Sequence, residues 1–259
     1  MTVELAIRDG GVARVTIDRP ERMNAVDAAT EARLEEIWRQ IEADADLRVV
    51  VLTGAGERAF SAGADMKSGS GRSGMDYWAT LNPNGFGGIG MRRSLKIPVI
   101  ARVNGLALGG GFEMVLGCDI VIAAEDARFG LPEAKVGRLP LDGGMIRLPR
   151  QIAPRIAAGL MMTGRMLPAP EAARLGLVNA VVPRADLDAE VDRWVADILA
   201  CAPLSVRAIK EIITETADMP LTAAHGARLP ELMRAMNSED SDEGVRAFNE
   251  KRPPVWRGR

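Results

Sequence analysis

The 259-residue chain is poor in the residues that several kinds of site require. Its one histidine, His225, excludes zinc sites built from two or more histidines, and we interpret it as a partly buried structural side chain. Its two cysteines, Cys118 and Cys201, form no CxxC pair, so we expect free thiols and no metal centre. Aromatic residues make up only 4%, which disfavours a protein that stacks nucleic-acid bases.

Charge and hydropathy exclude further classes. Thirty-three basic residues balance 35 acidic ones to a net charge of −2, so no strong attraction to nucleic acid or to an anionic membrane is expected. No run approaches the roughly 20 apolar residues that span a bilayer. The first ten residues include Glu4, Arg8 and Asp9, so no secretory leader is expected there. Together these absences predict a cytoplasmic protein.

The hydrophobic pattern alternates between strand and helix, which predicts an α/β fold. Residues 2–18 alternate around a Gly-rich turn as in a β-hairpin, and 28–43 form an amphipathic helix with Asp27 as its N-cap. Residues 48–53 are apolar throughout, as in an interior strand of a parallel sheet. Further strands are predicted at 98–103, 119–124 and 178–182, and helices at 109–116, 203–217, 221–236 and 239–249.

The chain divides by pattern into two regions. Residues 1–183 are predicted to form the α/β core, and 184–259 a helical extension whose first segment carries an apolar stripe from Leu187 to Ile198. No linker composition separates the two regions, so we expect the extension to dock on the core.

A long Gly-rich stretch at 68–90 interrupts the core pattern. Such a stretch is typical of either a functional loop or a tolerated surface insertion, and both interpretations stay open. Trp78 and Phe86 within it favour a lid that covers something apolar.

Two other Gly-rich stretches, 60–67 and 103–113, each follow a predicted strand and precede a predicted helix start. Glycine lets backbone N–H groups face outward, and a helix start adds unpaired N–H groups. Two such groups converging on one point form an oxyanion hole. The alternative for each stretch alone is close packing of helix on strand.

Two acidic residues lie beside Gly-rich turns. Glu113 follows a glycine triplet in the first turn of a predicted helix, and Glu133 follows Pro132 at the start of another. A single acid near a helix N-terminus usually only complements the helix dipole. Two of them favour a carboxylate pair that performs acid–base chemistry.

Four motifs in this order resemble the crotonase (enoyl-CoA hydratase/isomerase) family: FSAGADMK, NGLALGGGFE, CDIVIA and FGLPEAKVG. The resemblance runs from RPERMNAV at 19–26 to AFNEKR at 247–252. It implies a spiral of ββα units followed by helices that assemble trimers, often paired into hexamers. Within the family, the segments most similar to the carnitinyl-CoA dehydratase branch are LPEAKVG, IRLPR, MMTGR, APLSVRAIKEI and KRPPVWRGR.

The resemblance implies an activity and a set of site residues. The thioester carbonyl of an acyl-CoA would lie between the N–H groups of Ala64 and Gly110, and Glu113 and Glu133 would hold one water. The expected reaction is hydration of a 2-enoyl-CoA, or the reverse dehydration of a 3-hydroxyacyl-CoA. Glu133 would serve the α-carbon and Glu113 the water. No cofactor is implied beyond the CoA of the substrate, and no metal.

Other residues are implied in CoA binding. The segment that matches the adenine-binding stretch contains Ala62, Asp65, Met66 and Lys67, and a nearby turn contains Arg22, Met23 and Ala25. Near the C-terminus, Phe248 and Lys251 match residues that a neighbouring subunit would supply. The alternative for Lys251 is a solvated terminal charge.

The chain departs from the family at 140–144. Many simple hydratases read Pro-Gly-Ala-Gly-Gly there, whereas Leu141 and Asp142 replace two small residues in this chain. If Asp142 faces the acyl pocket, it would meet a cationic or hydroxylated acyl group. If it faces outward, it is only the N-cap of the following helix.

Two alternative functions are weighed against hydration. An isomerase or another non-hydrating family member would use the same oxyanion hole, but the presence of both glutamates argues against it. A non-enzymatic RNA-binding member is the second, and the near-neutral charge and few aromatic residues argue against it.

Overall fold

The computed structural model describes residues 2–67 and 74–259, which form two β-sheets surrounded by helices. The larger sheet has strand order β1-β2-β3-β5-β7-β10, and every neighbouring pair is parallel except the β1–β2 hairpin. Its central strand β3 is buried along its whole length, as its apolar sequence predicts. The six strands are β1 (Val3–Arg8), β2 (Val12–Ile17), β3 (Val49–Gly54), β5 (Val99–Val103), β7 (Ile120–Ala124) and β10 (Ala180–Val182).

The smaller sheet has the order β4-β6-β8-β9. Three consecutive strand pairs, β3–β4, β5–β6 and β7–β8, each place one strand in the larger sheet and the next in the smaller. This repetition produces the predicted spiral of ββα units and confirms the fold. The strands of this sheet are β4 (Ala59–Ser61), β6 (Leu106–Leu108), β8 (Arg128–Gly130) and β9 (Leu167–Pro168).

The helices of the core begin with the predicted amphipathic one. The Asp27 side chain accepts the backbone N–H of Thr30 at 2.9 Å, which confirms the N-cap. Trp38 is fully buried, and its indole N–H donates to the carbonyl of Gly87. The core helices are α1 (Ala28–Ala43), α2 (Gly74–Ala79), α3 (Gly110–Gly117), α4 (Gly144–Gln151), α5 (Pro154–Thr163) and α6 (Ala169–Arg174).

From residue 184 onward the described elements are helical. The first of these helices buries Leu187, Val191 and Val195 in the main hydrophobic core, so it docks on the sheets. The predicted helix 221–236 is wrong as one element, because Pro230 starts a new helix. The helices are α7 (Leu187–Ala200), α8 (Pro203–Glu215), α9 (Leu221–Gly226), α10 (Pro230–Met236) and α11 (Glu239–Glu250). The domain division at 183/184 stays a prediction.

The predictions for the stretch 68–90 and for His225 need correction. Of the stretch 68–90, residues 68–73 lie outside the described part of the chain, and Phe86 is buried core rather than part of a lid. Trp78 on α2 is exposed. His225 is also exposed within this chain, not partly buried as expected.

Candidate functional site

The two Gly-rich turns predicted to bind an oxyanion lie side by side. Strands β4 and β6 are parallel neighbours, so the turns that follow them emerge at the same edge of the smaller sheet. The approach is so close that a Cβ on Gly63 would lie 2.9 Å from the backbone nitrogen of Gly110. Gly63 also has a φ of 84°, so only glycine suits this position. The structure thus brings Ala64, the next residue, beside Gly110.

The N–H groups of these two turns are available as donors. Gly110 is the first residue of α3, where a helix N–H has no acceptor within the helix. Within residues 2–67 and 74–259, neither the Gly110 nor the Ala64 N–H donates a hydrogen bond. Ala64 is exposed, so a ligand can reach its turn. Two N–H groups on adjoining turns can stabilise negative charge on a carbonyl oxygen.

Glu113 lies in the first turn of α3 and is only 2% exposed. Burial raises the pKa of its carboxyl to about 8, and the nearby charges of Asp142 and Glu133 act in the same direction. The backbone N–H of Gly144 donates to its Oε1 at 2.8 Å, which opposes that shift. Glu113 therefore keeps its proton at neutral pH and can act as an acid there.

Glu133 begins the short 3-10 helix Glu133–Val136 and lies against the turn at Gly109. A Cβ on Gly109 would lie 2.9 Å from its Oε1, so the carboxyl rests against the turn that precedes Gly110. Its Oε2 is buried and has no hydrogen-bond partner. Burial also raises the pKa of this carboxyl. An orphaned buried carboxyl oxygen is expected where a ligand supplies the missing partner.

The two glutamates interact electrostatically across the site. The charge of Glu133 adds to the raised pKa of Glu113, after burial and the charge of Asp142. Burial raises the pKa of Glu133 as well, so both carboxyls favour the protonated form more than an exposed glutamate does. Two acids of raised pKa in one site are suited to delivering a proton at one atom and removing one at another.

Asp142 is buried close to Glu113, and its charge acts on the pKa of Glu113. The N-cap position of α4 is occupied by Gly143 without a side-chain capping bond, so the helix-cap interpretation of Asp142 is wrong. Asp142 is 5% exposed, and its Oδ2 accepts the Tyr77 hydroxyl at 2.5 Å. Burial raises the pKa of Asp142, and the Tyr77 hydrogen bond opposes that shift. Leu141, beside it, is half-buried. Sequence reasoning missed Tyr77, because nothing in its own segment indicates a partner 65 residues away.

Asn24 connects the turn at 22–25 to strand β4. It is fully buried with a φ of 55°, a left-handed conformation that asparagine tolerates better than most residues. Its side-chain amide donates to the carbonyls of Ala55 and Ala59, and its own carbonyl accepts the Ser61 hydroxyl at 2.8 Å. This network holds the turn against the strand that leads into Ala64. Sequence analysis quoted Asn24 within a motif but assigned it no role.

Arg19 is a second residue that sequence analysis did not single out. Its guanidinium pairs with Asp27 at 2.9 Å and with Asp65 at 3.1 Å, and it donates to the carbonyl of Ala25. The Asp65 side chain is thus engaged in holding the turn, and the backbone N–H of Lys67 donates to its other oxygen. Arg19 therefore ties three segments of the site together.

The remaining predicted CoA ligands divide into two groups. Met23 and Ala25 lie close to Ala62, whose N–H donates to the Met23 carbonyl at 2.9 Å, and all three lie beside the turn that contains Ala64. Three side chains on this side of the site are exposed: Arg22, Met66 and Lys67.

The two C-terminal residues lie on a different element. Phe248 is 84% exposed on α11, and Lys251 caps that helix with a φ of 55°. That these two residues contribute to the CoA site of a neighbouring subunit stays a prediction.

In the described part of the chain, no group of three or more His, Cys, Asp or Glu side chains has the arrangement of a metal site. Both cysteines are free there. No described helix is long and apolar enough to cross a membrane.

Alternating strands that feed two sheets, with Gly-rich turns meeting at one edge, define a crotonase fold. The family profile described as enoyl-CoA hydratase/isomerase matches residues 8–259. The chain belongs to that family. It is 42% identical over 256 residues to carnitinyl-CoA dehydratase of Escherichia coli K12, covering 97% of both proteins, and 41% identical to carnitinyl-CoA dehydratase of Salmonella typhi with the same coverage.

Solved structures agree with this assignment. The enoyl-CoA hydratase of Mycobacterium tuberculosis H37Rv is 36% identical with a TM-score of 0.90, and the match covers 100% of this chain and 99% of that one. The enoyl-CoA hydratase of Bacillus anthracis is 34% identical with a TM-score of 0.91 and full coverage of both chains.

Proposed function

We propose that this crotonase-family enzyme is an acyl-CoA hydro-lyase that interconverts a 2-enoyl-CoA and a 3-hydroxyacyl-CoA. One observation carries the proposal: the buried Glu113 and the half-buried Glu133 both lie by the turn that leads into the unpaired N–H of Gly110, and the buried Oε2 of Glu133 lacks a partner. Relatives named carnitinyl-CoA dehydratase and enoyl-CoA hydratase support the same chemistry. The proposed reaction uses no metal and no redox cofactor.

The oxyanion hole serves the thioester. The N–H groups of Ala64 and Gly110 bind the thioester carbonyl oxygen and stabilise the negative charge that develops on it when C2 loses a proton in dehydration or when water adds to C3 in hydration. Each such donor is typically worth about 3 kcal/mol of barrier. Both N–H groups belong to backbone held by packing and by the Asn24 network, so little reorganisation accompanies the reaction.

The glutamates move the protons. In dehydration, ionised Glu133 removes the C2 proton, and protonated Glu113 donates its proton to the C3 hydroxyl as the C–O bond breaks and water leaves. Hydration is the reverse, so the roles exchange by microscopic reversibility. The raised pKa of Glu113 supports its role as the proton donor at the start of dehydration.

The CoA moiety and the assembly complete the proposal. Backbone groups of 62–67 contact the nucleotide, with Arg22, Met23 and Ala25 beside them. The chain assembles as a homotrimer or a dimer of trimers, in which Phe248 and Lys251 reach a neighbour's CoA. The large apolar side chains exposed on the C-terminal helices support an assembly, among them Ile213, Leu221 and Met236.

Isotope incorporation tests the reaction type. In water enriched in ¹⁸O, with crotonyl-CoA and its 4-trimethylammonium derivative crotonobetainyl-CoA as substrates, we expect one ¹⁸O at C3 of a 3-hydroxyacyl-CoA, measured by mass spectrometry. A shifted double bond without ¹⁸O would instead identify an isomerase, and ¹⁸O in a free carboxylate a thioester hydrolase. RNA retention on a filter without turnover of either thioester would favour the binding-protein alternative.

The pH dependence tests the shared proton. Because the pair must hold one proton, kcat/KM is expected to fall as pH rises through about 8, where Glu113 ionises. The sign follows from burial, which raises the pKa of an acid and thus extends its protonated range upward. The same upper limb is expected in both directions, because the hydration equilibrium consumes no proton. A profile that stays flat to pH 9.5 would contradict the shared-proton mechanism.

A further inference from the structure

The turn that contains Ala64 is held by a short parallel bridge to Val26. The N–H of Val26 donates to the Gly63 carbonyl at 2.8 Å, and the N–H of Asp65 donates to the Val26 carbonyl at 2.9 Å. Both bonds use the neighbours of Ala64, and directions alternate along an extended backbone, so the Ala64 N–H points away from Val26. The direction of the proposed oxyanion donor therefore depends on how the two strands of this bridge lie against each other.

The side chain of Arg19 joins the two strands of the bridge. Its Nη2 lies 2.9 Å from Oδ2 of Asp27 and 3.1 Å from Oδ2 of Asp65. These two carboxylates come from equivalent positions, because each belongs to the residue that follows one partner of the bridge. The Nη1 of Arg19 donates to the carbonyl of Ala25. One guanidinium thus holds both strands immediately beside the donor.

The backbone of Arg19 is fixed to the smaller sheet. Its N–H donates to Oδ1 of Asn24 at 3.0 Å, and the N–H of Asn24 donates to the Arg19 carbonyl at 2.9 Å. The Asn24 side chain donates in turn to the carbonyl of Ala59 on β4 at 2.7 Å. The guanidinium is therefore anchored to the strand that leads into the turn, and it fixes the bridge relative to that strand.

Two carboxylates that approach one cation repel each other when the cation is removed. The side chains of Arg19 and Asp65 are only 13% and 8% exposed, so solvent would screen little of this repulsion. A guanidinium presents its N–H donors in one rigid plane, whereas a lysine ammonium is a point charge that does not reproduce this fork. Loss of Arg19 is thus expected to shift the strands beside the residue that carries the donor.

We propose that Arg19 is a positioning residue, which holds the Ala64 N–H in the direction of the thioester oxyanion through Asp27 and Asp65. This inference rests on the proposed hydro-lyase function, because it needs an oxyanion at this turn. Arg19 acts through the backbone and not on the reacting atoms. A misplacement of about 1 Å costs on the order of 100-fold in rate, so the main effect is expected in kcat.

Two variants of Arg19 and one control test the kinetics. Arg19→Gln removes the charge but keeps an N–H donor, and kcat is expected to fall about 100-fold. Arg19→Lys keeps the charge without the fork and should lose less. Arg102→Gln is the matched control, because the Arg102 side chain is also 13% exposed and forms a bidentate pair with Asp188 at 2.8 Å, but joins β5 to α7. It should lose thermal stability and keep its kcat.

Infrared spectroscopy separates positioning from general stability. Butyryl-CoA labelled with ¹³C at its carbonyl cannot be hydrated, and N–H donors in the oxyanion hole lower its carbonyl stretching frequency relative to water. In Arg19→Gln this band should move back toward its position in water, and in Arg102→Gln it should stay. A band at the wild-type position in Arg19→Gln would overturn the positioning role and leave the hydro-lyase function intact. No shift in wild-type enzyme would instead defeat the oxyanion hole, and the proposed function with it.

Removal of one carboxylate tests the route through Asp65. Adding Asp65→Asn to Arg19→Gln relieves the repulsion, and the asparagine oxygen can still accept the N–H of Lys67. Part of the lost kcat should return, and an unchanged loss would overturn the assignment to the two carboxylates. If Arg19→Gln does not fold by circular dichroism, Arg19→Lys decides the question. Wild-type kcat and a wild-type carbonyl band in that variant would overturn the proposal.

Discussion

Replacing Glu113 or Glu133 by glutamine is expected to lower kcat about 1000-fold or more, while the Kd for a saturated acyl-CoA changes little. General acid–base groups typically contribute 10²–10⁴-fold. In Glu113→Gln the side-chain carbonyl can still accept the Gly144 N–H, so the fold around the site is retained. Kd is measured by calorimetry and kcat from the loss of the conjugated thioester absorbance.

The double variant sharpens this test. If the two carboxyls share one proton and one water, removing either already disables the unit, so the double variant should be scarcely slower than each single one. Glu211→Gln is the matched control, because Glu211 is an equally buried acid whose partner is Lys96 and which lies on α8. It should lose stability but retain turnover. Near-wild-type hydration by Glu113→Gln or Glu133→Gln would contradict the two-carboxylate mechanism.

Much of the fold was predictable because its patterns are local. The 3.6-residue period of α1 and the uninterrupted apolar run of β3 depend on neighbours in the chain, and both were placed to within a residue or two. The split of 221–236 at Pro230 was missed, although proline at that point is itself a local signal.

Phe86 was misread for a different reason. A Gly-rich context indicates an exposed loop, but its ring lies where a Cβ on Gly110 would stand only 2.6 Å away. Neither local sequence indicates such a contact between residues that are 24 positions apart.

As with the fold, the features of the candidate site that are encoded locally in the sequence were predictable. The glycine turns and the two glutamates carry their signals within single motifs, and β4–β6 pairing was enough to bring the turns together. Tyr77–Asp142 and Arg19–Asp65 join residues 65 and 46 positions apart, and the choice of partner for each was readable only from the folded chain.

The uncompensated acids also carry an energetic argument. Desolvation disfavours an ionised carboxyl, and like charges nearby add to that cost. A fold that pairs Arg92 with both Glu35 and Glu42 in its interior has the means to compensate buried charge. That it leaves Glu113, Glu133 and Asp142 without such partners among the described residues, with the Oε2 of Glu133 also lacking a hydrogen bond, is expected of a functional site rather than of a structural ion-pair network.

Removing the N–H of Gly110 is the second change with a large expected effect. Gly110 is the first residue of α3, where proline is compatible with the helix because no intrahelical bond needs its N–H. Gly110→Pro therefore deletes the proposed oxyanion donor at a position where the helix tolerates proline, and its ring Cδ takes the place of the amide hydrogen. Kinetic losses on deleting one such donor are on the order of 10²–10³-fold, and we expect a loss of that size in kcat/KM.

The control for this variant must reproduce its steric effect. A Cβ at position 110 would lie 2.6 Å from the Phe86 ring, so both proline and alanine crowd that ring, while only proline lacks the N–H. The informative quantity is thus the ratio of Gly110→Ala to Gly110→Pro in kcat/KM, each measured also with Phe86→Leu to relieve the contact. A ratio of about 100 or more, with unchanged Kd for free CoA, supports the oxyanion role. Equal activity of the two would show that the Gly110 N–H stabilises no charge in the transition state, and the thioester carbonyl would then have to be bound elsewhere.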